Sequence, residues 1–353
     1  MNVIDLFCGC GGASRGLQMA GYKVVGAVDN NPIACETYHK NIGVKPICTD
    51  LQFFTGKQIL ERYDLEKDDV DLVVGCPPCQ GFSSLRRTRY SEGTDSRKSL
   101  VSVFLKRIRE IQPRAVIFEN VSGIANKEGK QYYLKRFINK MEDLGYRSNW
   151  DLINAADYGI PQFRKRVFVF FAKTNRSIDL PERTHSNPEK CTTNKEWITV
   201  KDSISTLPVL LTGERDPVIP NHVARTHTDK IMNLIKKIPK NGGSRRSLPI
   251  DLWLPCHRKL KDRRSRGAES IYGRMSWQKP APTITCRCTT PSSGRFLHPD
   301  QDRAITPREA ARLQTFPDTF IFPDEFQASE RMIGNAVPVE LMKVHSKYFI
   351  ESL

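Results

Sequence analysis

Short apolar runs alternate with amphipathic stretches through the first half of the chain. The runs lie at 3–7, 22–28, 72–74, 115–118 and 167–171. One of the stretches between them places five apolar side chains on a single helix face: Leu100, Val103, Phe104, Ile108 and Ile111. Continuous apolar runs are typical of strands that are buried on both faces of a parallel sheet. The alternation therefore predicts an α/β protein with a doubly wound, Rossmann-like sheet.

The pattern changes after Thr174. From there to Arg303 the helical periodicity fades, and proline, threonine and arginine become frequent. A helix start follows at Thr306, with Pro307 in its first turn, and a last helix after 334–338 is expected to cover one side of the sheet. We therefore predict a first domain at 1–174 plus 330–353, a smaller and irregular second domain at 175–303, and a connecting segment at 304–329.

The composition is that of a basic globular protein. The 353 residues carry a net charge of +16, and 13 Lys or Arg residues oppose three Asp between Arg225 and Arg266. Such a concentration of positive charge indicates a polyanionic partner, most simply nucleic acid. Ten cysteines without a secretory signal predict reduced thiols inside the cell. No apolar stretch approaches the length of a membrane helix, so we expect a cytoplasmic protein without a membrane partner.

The segment Asp71–Ser83 combines a strand with a turn that carries cysteine. The apolar run 72–74 leads through Gly75 into Cys76-Pro77-Pro78-Cys79. The two prolines prevent a continuing helix or central strand. Cys79 is therefore expected on a stiff turn just beyond a strand end, where open α/β sheets bind ligands. These residues alone leave three interpretations open: incidental cysteines, a Cys-x-x-Cys zinc or redox site, and a single nucleophilic thiol.

Other cysteines offer further potential metal ligands. They are found in Cys256-His257 and in Cys286-Arg287-Cys288. None of these pairs has the ordinary spacing of a structural zinc site. We therefore expect no metal ion.

A glycine turn follows the first strand. Gly9-Cys10-Gly11-Gly12 connects that strand to a helical stretch, which is how a nucleotide-binding fold begins. Asp29 ends the second strand, twenty residues after Gly9, and a carboxylate there can accept hydrogen bonds from both hydroxyls of a ribose. Asp50, which ends the predicted third strand, is placed to reach an adenine amine. Because the turn lacks the GxGxxG arrangement for a pyrophosphate, the residues favour an adenosyl ligand without phosphates.

Six motifs resemble those of the cytosine-5 DNA methyltransferases. In chain order they are DLFCGCGG at Asp5, GCPPCQGFS at Gly75, ENV at Glu119, QFRKR at Gln162, TPREAARLQTFPD at Thr306 and GNAVP at Gly334. The compact length is similar to that of prokaryotic restriction-modification enzymes. The resemblance implies a sequence-specific DNA cytosine-5 methyltransferase that uses S-adenosylmethionine and releases S-adenosylhomocysteine. The second domain would then be a target-recognition domain.

The resemblance also implies roles for four catalytic residues. Cys79 would add to carbon 6 of cytosine, and Glu119 would donate a proton at ring nitrogen 3. Arg164 and Arg166 would orient the ring and the catalytic groups and favour the thiolate. Alternate residues of one strand point the same way, so the two arginines are predicted to share a face with Gln162.

The cofactor pocket and the DNA contacts are carried over from the family in the same way. The pocket would comprise Phe7, Cys10, Gly12, Asp29, Asn30, Asp50, Leu51, Pro78, Asn335 and Val337. The DNA contacts would comprise Gln80, Ser83, Arg86, Arg87, Arg89, Arg245, Arg246 and Arg258, and the loop 84–99 would close over a flipped base. The chain departs from the family at Cys8, where a small alanine is more usual, and at Asn30, where an aromatic ring often stacks on adenine.

Two other functions remain possible on the sequence. A related enzyme that methylates tRNA would have similar catalytic residues, and a DNA-binding protein on an inactive scaffold would keep the fold. The basic second region favours double-stranded DNA, and intact Cys79 and Glu119 favour an active enzyme. We expect a monomer, with a restriction endonuclease of the same specificity as a genetic rather than a physical partner.

Overall fold

The computed structural model describes residues 1–78, 98–125, 131–189, 194–258 and 270–351. The chain forms two compact units. The first unit comprises Met1–Tyr158, Lys165–Arg183 and Val337–Leu353, and the second comprises Gly159–Arg164 and Thr184–Ala336. Residues 304–329, which the sequence pattern suggests as a connecting segment, cluster with the second unit. No helix within the described residues has the length and apolarity needed to cross a bilayer.

Seven strands of the first unit form one mixed sheet. They are β1 (Asn2–Leu6), β2 (Lys23–Asp29), β3 (Ile47–Cys48), β4 (Leu72–Gly75), β5 (Ala115–Val121), β6 (Arg147–Asn154) and β7 (Lys165–Ala172). Their order is β3-β2-β1-β4-β5-β7-β6. Neighbouring strands are parallel except around β7, which is antiparallel to β5 and β6. The predicted doubly wound fold is confirmed, and the strand order changes direction beside β1, where such sheets bind ligands.

Helices pack against this sheet. They are α1 (Gly12–Met19), α2 (Pro32–Ile42), α3 (Gly56–Arg62), α4 (Lys98–Ile111), α5 (Gln131–Glu142) and, from the end of the chain, α11 (Val339–Glu351). The core contains a chain of aromatic rings with centroids 5.9 Å, 4.7 Å and 5.4 Å apart, formed in order by Phe104, Phe118, Phe137 and Phe171. Burying one such ring contributes about 1.5–3 kcal/mol.

The last helix covers part of the sheet, as the sequence predicts. The imidazole of His345 on α11 stacks on Phe168 of β7 with ring centroids 5.0 Å apart, and Phe349 packs on Phe170 at 5.2 Å. His345 Nδ1 is 2.9 Å from the Leu341 carbonyl, to which it can donate. Burial lowers the pKa of His345 to about 4, so this histidine is an uncharged part of the core.

The second unit is built mainly from short helices and loops. Its elements are the strands β8 (His185–Ser186) and β9 (Lys195–Glu196) and the helices α6 (Val200–Ile204), α7 (Asp229–Lys237), α8 (Pro255–Arg258), α9 (Pro307–Leu313) and α10 (Phe326–Asn335). The predicted helix start is present, because Thr306 and Glu309 form a capping box at α9.

Buried arginines hold the irregular backbone of the second unit together. Arg274 is fully buried and donates to the carbonyls of Ile235, at 2.9 Å, and Ile238, at 3.1 Å. Arg303 forms a two-pronged ion pair with Glu309 at 2.7 Å and 2.8 Å. Although burial raises the pKa of Glu309, Arg303 brings it down to about 2. Guanidinium groups thus satisfy carbonyl groups that a sheet would otherwise pair.

Candidate active site

The turn after β1 is shaped by left-handed backbone conformations. Phe7, Gly9 and Gly11 have φ values of 63°, 54° and 100°. A Cβ on Gly11 would lie 2.7 Å from Cγ1 of Ile42, whereas a Cβ on Gly9 would meet nothing within 4 Å. Gly11 therefore allows the turn to pack closely on α2, and the outer side of Gly9 is open to a ligand.

Asp29 links this turn to the end of β2. Its Oδ2 accepts the Gly9 amide at 2.9 Å, and its Oδ1 accepts the Asn31 amide at 2.9 Å. Each carboxylate oxygen retains a further acceptor position, which suits the hydroxyls of a ribose. The Gly9 amide is already used by Asp29 and is not free for a phosphate. The polar groups at this turn therefore fit an adenosyl group better than a nucleotide phosphate.

Asp50 lies in a turn beyond β3. The strand ends at Cys48, two residues before the predicted end, and the Thr49 amide donates to the Asp29 carbonyl at 2.9 Å. Asp50 Oδ1 accepts the Gln52 amide at 2.9 Å. Parallel β2 and β3 end at the same edge of the sheet, so both predicted carboxylates are found at that edge.

The other predicted cofactor residues differ in how far they are exposed to solvent. Cys10, Gly12, Leu51 and Val337 are buried, so the side chains of Cys10, Leu51 and Val337 pack inside the protein. Burial raises the pKa of Cys10 to about 12, which keeps that thiol protonated. Phe7 is half-buried, and the side chains that reach solvent are those of Asn30, Pro78 and Asn335. Cys286 Sγ lies 2.9 Å from Oδ1 of Asn335.

The proline-containing turn after β4 is attached to β5. Gly75 pairs with Phe118, so the two strands end side by side. Asn120 is almost completely buried, and its Nδ2 donates to the Pro77 carbonyl at 3.3 Å. The role of Asn120 was missed in the sequence, where the available signal was a polar residue inside an apolar strand. Cys79 and Gln80, which follow this turn, lie outside the described residues.

Cys76 is the cysteine of the Cys-x-x-Cys motif that the structure describes. Burial raises the pKa of Cys76 well above its usual range, and the nearby carboxylates of Glu119 and Asp5 raise it further. A thiol with a raised pKa is a poor nucleophile near neutral pH. The structure thus disfavours Cys76 as the nucleophile.

Glu119 and Arg166 form an ion pair at the end of neighbouring strands. Arg166 Nε lies 3.0 Å from Glu119 Oε1, and the two side chains are only 15% and 9% exposed. β5 and β7 are antiparallel, with Val121 opposite Arg166. The arginine can therefore fix the direction of the carboxyl group.

Arg164 has different partners from Arg166. Its guanidinium is buried and donates to the carbonyls of Ile284 at 3.1 Å, Gly334 at 3.1 Å and Ala336 at 3.0 Å. These contacts give Arg164 a structural role within the second unit. The predicted catalytic role of Arg164, and its pairing with Arg166, remain predictions.

One family accounts for nearly the whole chain. The sequence model described as C-5 cytosine-specific DNA methylase matches residues 1–350. The chain belongs to this family.

Similar proteins extend over the same length as this methylase. A Type II methylase, M.HgiDII of Herpetosiphon aurantiacus, is 36% identical over 359 residues, which cover 99% of this chain and 96% of the relative. The Type II methyltransferase M1.HphI of Haemophilus parahaemolyticus is 32% identical, with 96% and 83% covered. A crystal structure described as a prophage-encoded DNA modification methyltransferase (E. coli) has a TM-score of 0.74 at 25% identity, with 100% of this chain and 99% of that chain covered.

The predicted DNA contacts of the methylase fall into three groups. Ser83, Arg86, Arg87, Arg89 and the greater part of the loop 84–99 lie outside the described residues. Arg246 and Arg258 are exposed on the second unit. Arg245, in contrast, is 2% exposed, and its guanidinium lies 5.2 Å from the centre of the Trp253 ring. In this conformation Arg245 supports the fold rather than presenting charge to DNA.

Metal ligands do not cluster in the parts of the methylase that the structure describes. Those ranges contain no group of three or more His, Cys, Asp or Glu side chains that could hold a metal ion.

Proposed function

We propose that this methylase transfers a methyl group from S-adenosylmethionine to carbon 5 of a cytosine within a specific sequence of double-stranded DNA. The observation that carries the proposal is the family match from residue 1 to residue 350. The Glu119–Arg166 pair beside the proline-containing turn supplies the matching chemistry. The named Type II relatives favour a role in restriction and modification.

The proposed reaction begins at Cys79. Its thiolate adds to carbon 6 of the cytosine. The electron pair of the carbon 5–carbon 6 double bond shifts to form a carbon 4–carbon 5 double bond, and the pair of the carbon 4–nitrogen 3 double bond moves onto nitrogen 3. Glu119, held by Arg166, donates a proton at nitrogen 3 and neutralises the developing charge. Carbon 5 becomes enamine-like and nucleophilic as a result. After methylation, nitrogen 3 returns its proton to Glu119. A water molecule takes the carbon 5 proton, the carbon 5–carbon 6 double bond re-forms, and the Cys79 thiolate leaves carbon 6.

The first unit offers groups that fit the cofactor. Asp29 would accept the ribose hydroxyls, and Asp50 would accept the adenine amine. The open side of Gly9 would allow close approach of the backbone. Bound S-adenosylmethionine supplies an electrophilic methyl group, and S-adenosylhomocysteine is the product. Asn335 and Val337 complete the proposed set from the family motif.

The enzyme would act as a monomer on DNA in the cytoplasm of a prokaryotic cell. Since a buried cytosine inside a duplex is inaccessible to Cys79, the target base would have to be flipped out, at a cost of a few kcal/mol. The second unit would read the target sequence, with Arg246 and Arg258 as exposed candidates for contact with DNA. An endonuclease of the same specificity would be its genetic partner.

Bisulfite sequencing tests the proposal directly. The protein and S-adenosylmethionine are incubated with unmethylated genomic DNA, and protected cytosines are mapped. Protection within one short motif is the expected result, and the Cys79→Ala variant should give none while still binding the same DNA. Methylation of tRNA but not of DNA would show that DNA is the wrong substrate. DNA binding without methylation of either nucleic acid would indicate an inactive scaffold.

A further inference from the structure

Phe53 is a large apolar side chain that the protein leaves in solvent. It is 82% exposed, whereas Leu51 in the same short segment is 3% exposed. Phe54, the next residue, packs against the core of the first unit. An isolated exposed apolar residue needs no explanation by itself. Phe53, however, lies in a turn with Asp50, one of the two carboxylates proposed to bind an adenosyl group.

The segment that carries Phe53 is well ordered at both ends. The Phe53 amide donates to the Asp50 carbonyl at 3.0 Å, and the Gln52 amide donates to Asp50 Oδ1 at 2.9 Å. On the other side, Thr55 forms a capping box with Gln58 at the start of α3. Phe53 is thus presented by a folded turn.

The turn lies at the edge of the sheet where the proposed cofactor residues meet. Asp29 pairs with Cys48 across β2 and β3, and the next residue, Thr49, donates to the Asp29 carbonyl. The turn that carries Phe53 starts one residue later, at Asp50. On the β2 side the exposed residue is Asn30, which has no aromatic ring. The same short turn thus carries an exposed apolar ring, at Phe53, and one of the two carboxylates that suit an adenosine, at Asp50.

We propose that Phe53 packs against the face of the cofactor's adenine and contributes to its binding. This inference rests on the proposed function, because it requires an adenosyl ligand at Asp29 and Asp50. A purine has an apolar face that stacks on aromatic side chains and polar edges that hydrogen-bond. The turn presents both complementary groups, with the Asp50 carboxylate for an edge and the Phe53 ring for a face.

Calorimetric titration with S-adenosylhomocysteine measures the contribution of this ring without requiring DNA or catalysis. The Phe53→Ala variant should bind with a dissociation constant about tenfold higher, which lies within the range known for stacking of a base on an aromatic ring. Phe53→Trp should keep tight binding, and the fluorescence of the new indole should change on titration.

Tyr132→Ala is the matched control. Tyr132 is 62% exposed on α5, a helix that contacts β6 near the opposite end of the sheet from β3. Its loss should leave cofactor binding unchanged. Equal affinity of Phe53→Ala and wild-type protein would overturn the role of Phe53 while leaving the proposed function intact. Failure of the wild-type protein to bind S-adenosylhomocysteine would overturn both.

Discussion

Among the residues that the structure describes, Glu119 is the one on which the proposed chemistry depends most. Its carboxyl group is nearly buried and is held by Arg166 at 3.0 Å. Glu119→Gln keeps the shape of the side chain but removes the acid. We expect the rate of methyl transfer in a single turnover to fall by about 10²-fold or more, with DNA affinity preserved.

A glutamate on the surface provides the comparison for that variant. Glu142 ends α5, and its Oε1 accepts a hydrogen bond from Ser148 at 3.0 Å. Glu142→Gln should therefore retain the wild-type rate. A Glu119→Gln enzyme that is as fast as Glu142→Gln would contradict the assignment of Glu119 as the proton donor.

Asp5 is a buried carboxyl group that the proposed reaction does not use. Its Oδ2 accepts a hydrogen bond from Ser14 Oγ at 2.6 Å, and Ser14 also contacts the hydroxyl of Tyr38 at 2.6 Å. Burial raises the pKa of Asp5 to about 7; Ser14 lowers it, and Asp29 raises it further. In the unfolded chain the carboxyl ionises near pH 4.

This difference predicts how stability changes with pH. Between about pH 4 and pH 7 the folded protein holds a proton on Asp5 that the unfolded chain has lost. The contribution of Asp5 to the free energy of unfolding is therefore greatest below pH 4 and falls by up to about 4 kcal/mol as the pH rises to 7. Asp5→Asn should remove this decline, and urea unfolding from pH 4 to pH 8 would measure it. Parallel pH profiles for the variant and the wild type would exclude the effect.

At the scale of secondary structure, α1 and α11 pack unusually closely through Gly16. A Cβ on Gly16 would lie 2.4 Å from the Val339 carbonyl oxygen and 2.9 Å from Cβ of Met342. Alanine is the better helix former, but here it would force the two helices apart. Gly16→Ala should reduce the free energy of unfolding by about 1–3 kcal/mol.

Met19→Ala is the control on the same helix. Met19 is 39% exposed, so its truncation should change stability by less than about 1 kcal/mol. Thermal or urea unfolding of both variants separates a specific helix contact from a general sensitivity of α1. Equal stability of Gly16→Ala and wild type would show that the helices can move apart at no cost.

The elements that the sequence predicted well are those whose pattern follows from burial alone. Continuous apolar runs predicted β1, β2 and β4, and the glycine turn predicted the start of α1. The strand predicted at 115–118 continues through Glu119 and Asn120, because their backbone pairs with Phe168 and Val167 of β7. Local pattern cannot show this pairing, since polar side chains in a strand normally indicate its end. The prediction made the third strand too long, ending it at Asp50, because the pattern does not show that the pairing of β3 with β2 stops at Cys48, before Thr49.

At the scale of the whole molecule, the positive charge divides into buried and exposed parts. Sequence composition predicts a basic surface but does not show which guanidinium groups are inside. In the second unit, Arg245, Arg274, Arg303 and Arg308 are all buried. Motifs located the candidate residues Asp29 and Glu119 near strand ends, where the structure has them, and their roles stay predictions. The candidate site was predicted least well for arginines, because burial in an irregular unit depends on contacts distant in sequence.

Measurement of DNA binding at several salt concentrations tests whether the exposed arginines, rather than the buried ones, contact DNA. Arg246 is exposed, so Arg246→Gln should weaken binding and reduce the slope of log K against log salt by about one, as expected for one lost phosphate contact. Arg245→Gln should leave the slope unchanged and lower the melting temperature, because it disturbs a buried side chain. If Arg245→Gln reduced the salt slope and Arg246→Gln lowered the melting temperature instead, Arg245 would be the residue that faces the DNA.

The position of α11 after the second unit in chain order has a consequence for biosynthesis. Residues 339–351 emerge from the ribosome only after all the residues of the second unit. Until then the Phe168 and Phe170 rings of β7 lack the cover that His345 and Phe349 provide. Exposed apolar surface of this kind makes an unfinished chain prone to aggregation and a client for chaperones. Premature termination shortly before α11 should consequently yield insoluble protein, even though almost every proposed catalytic and cofactor residue has been made.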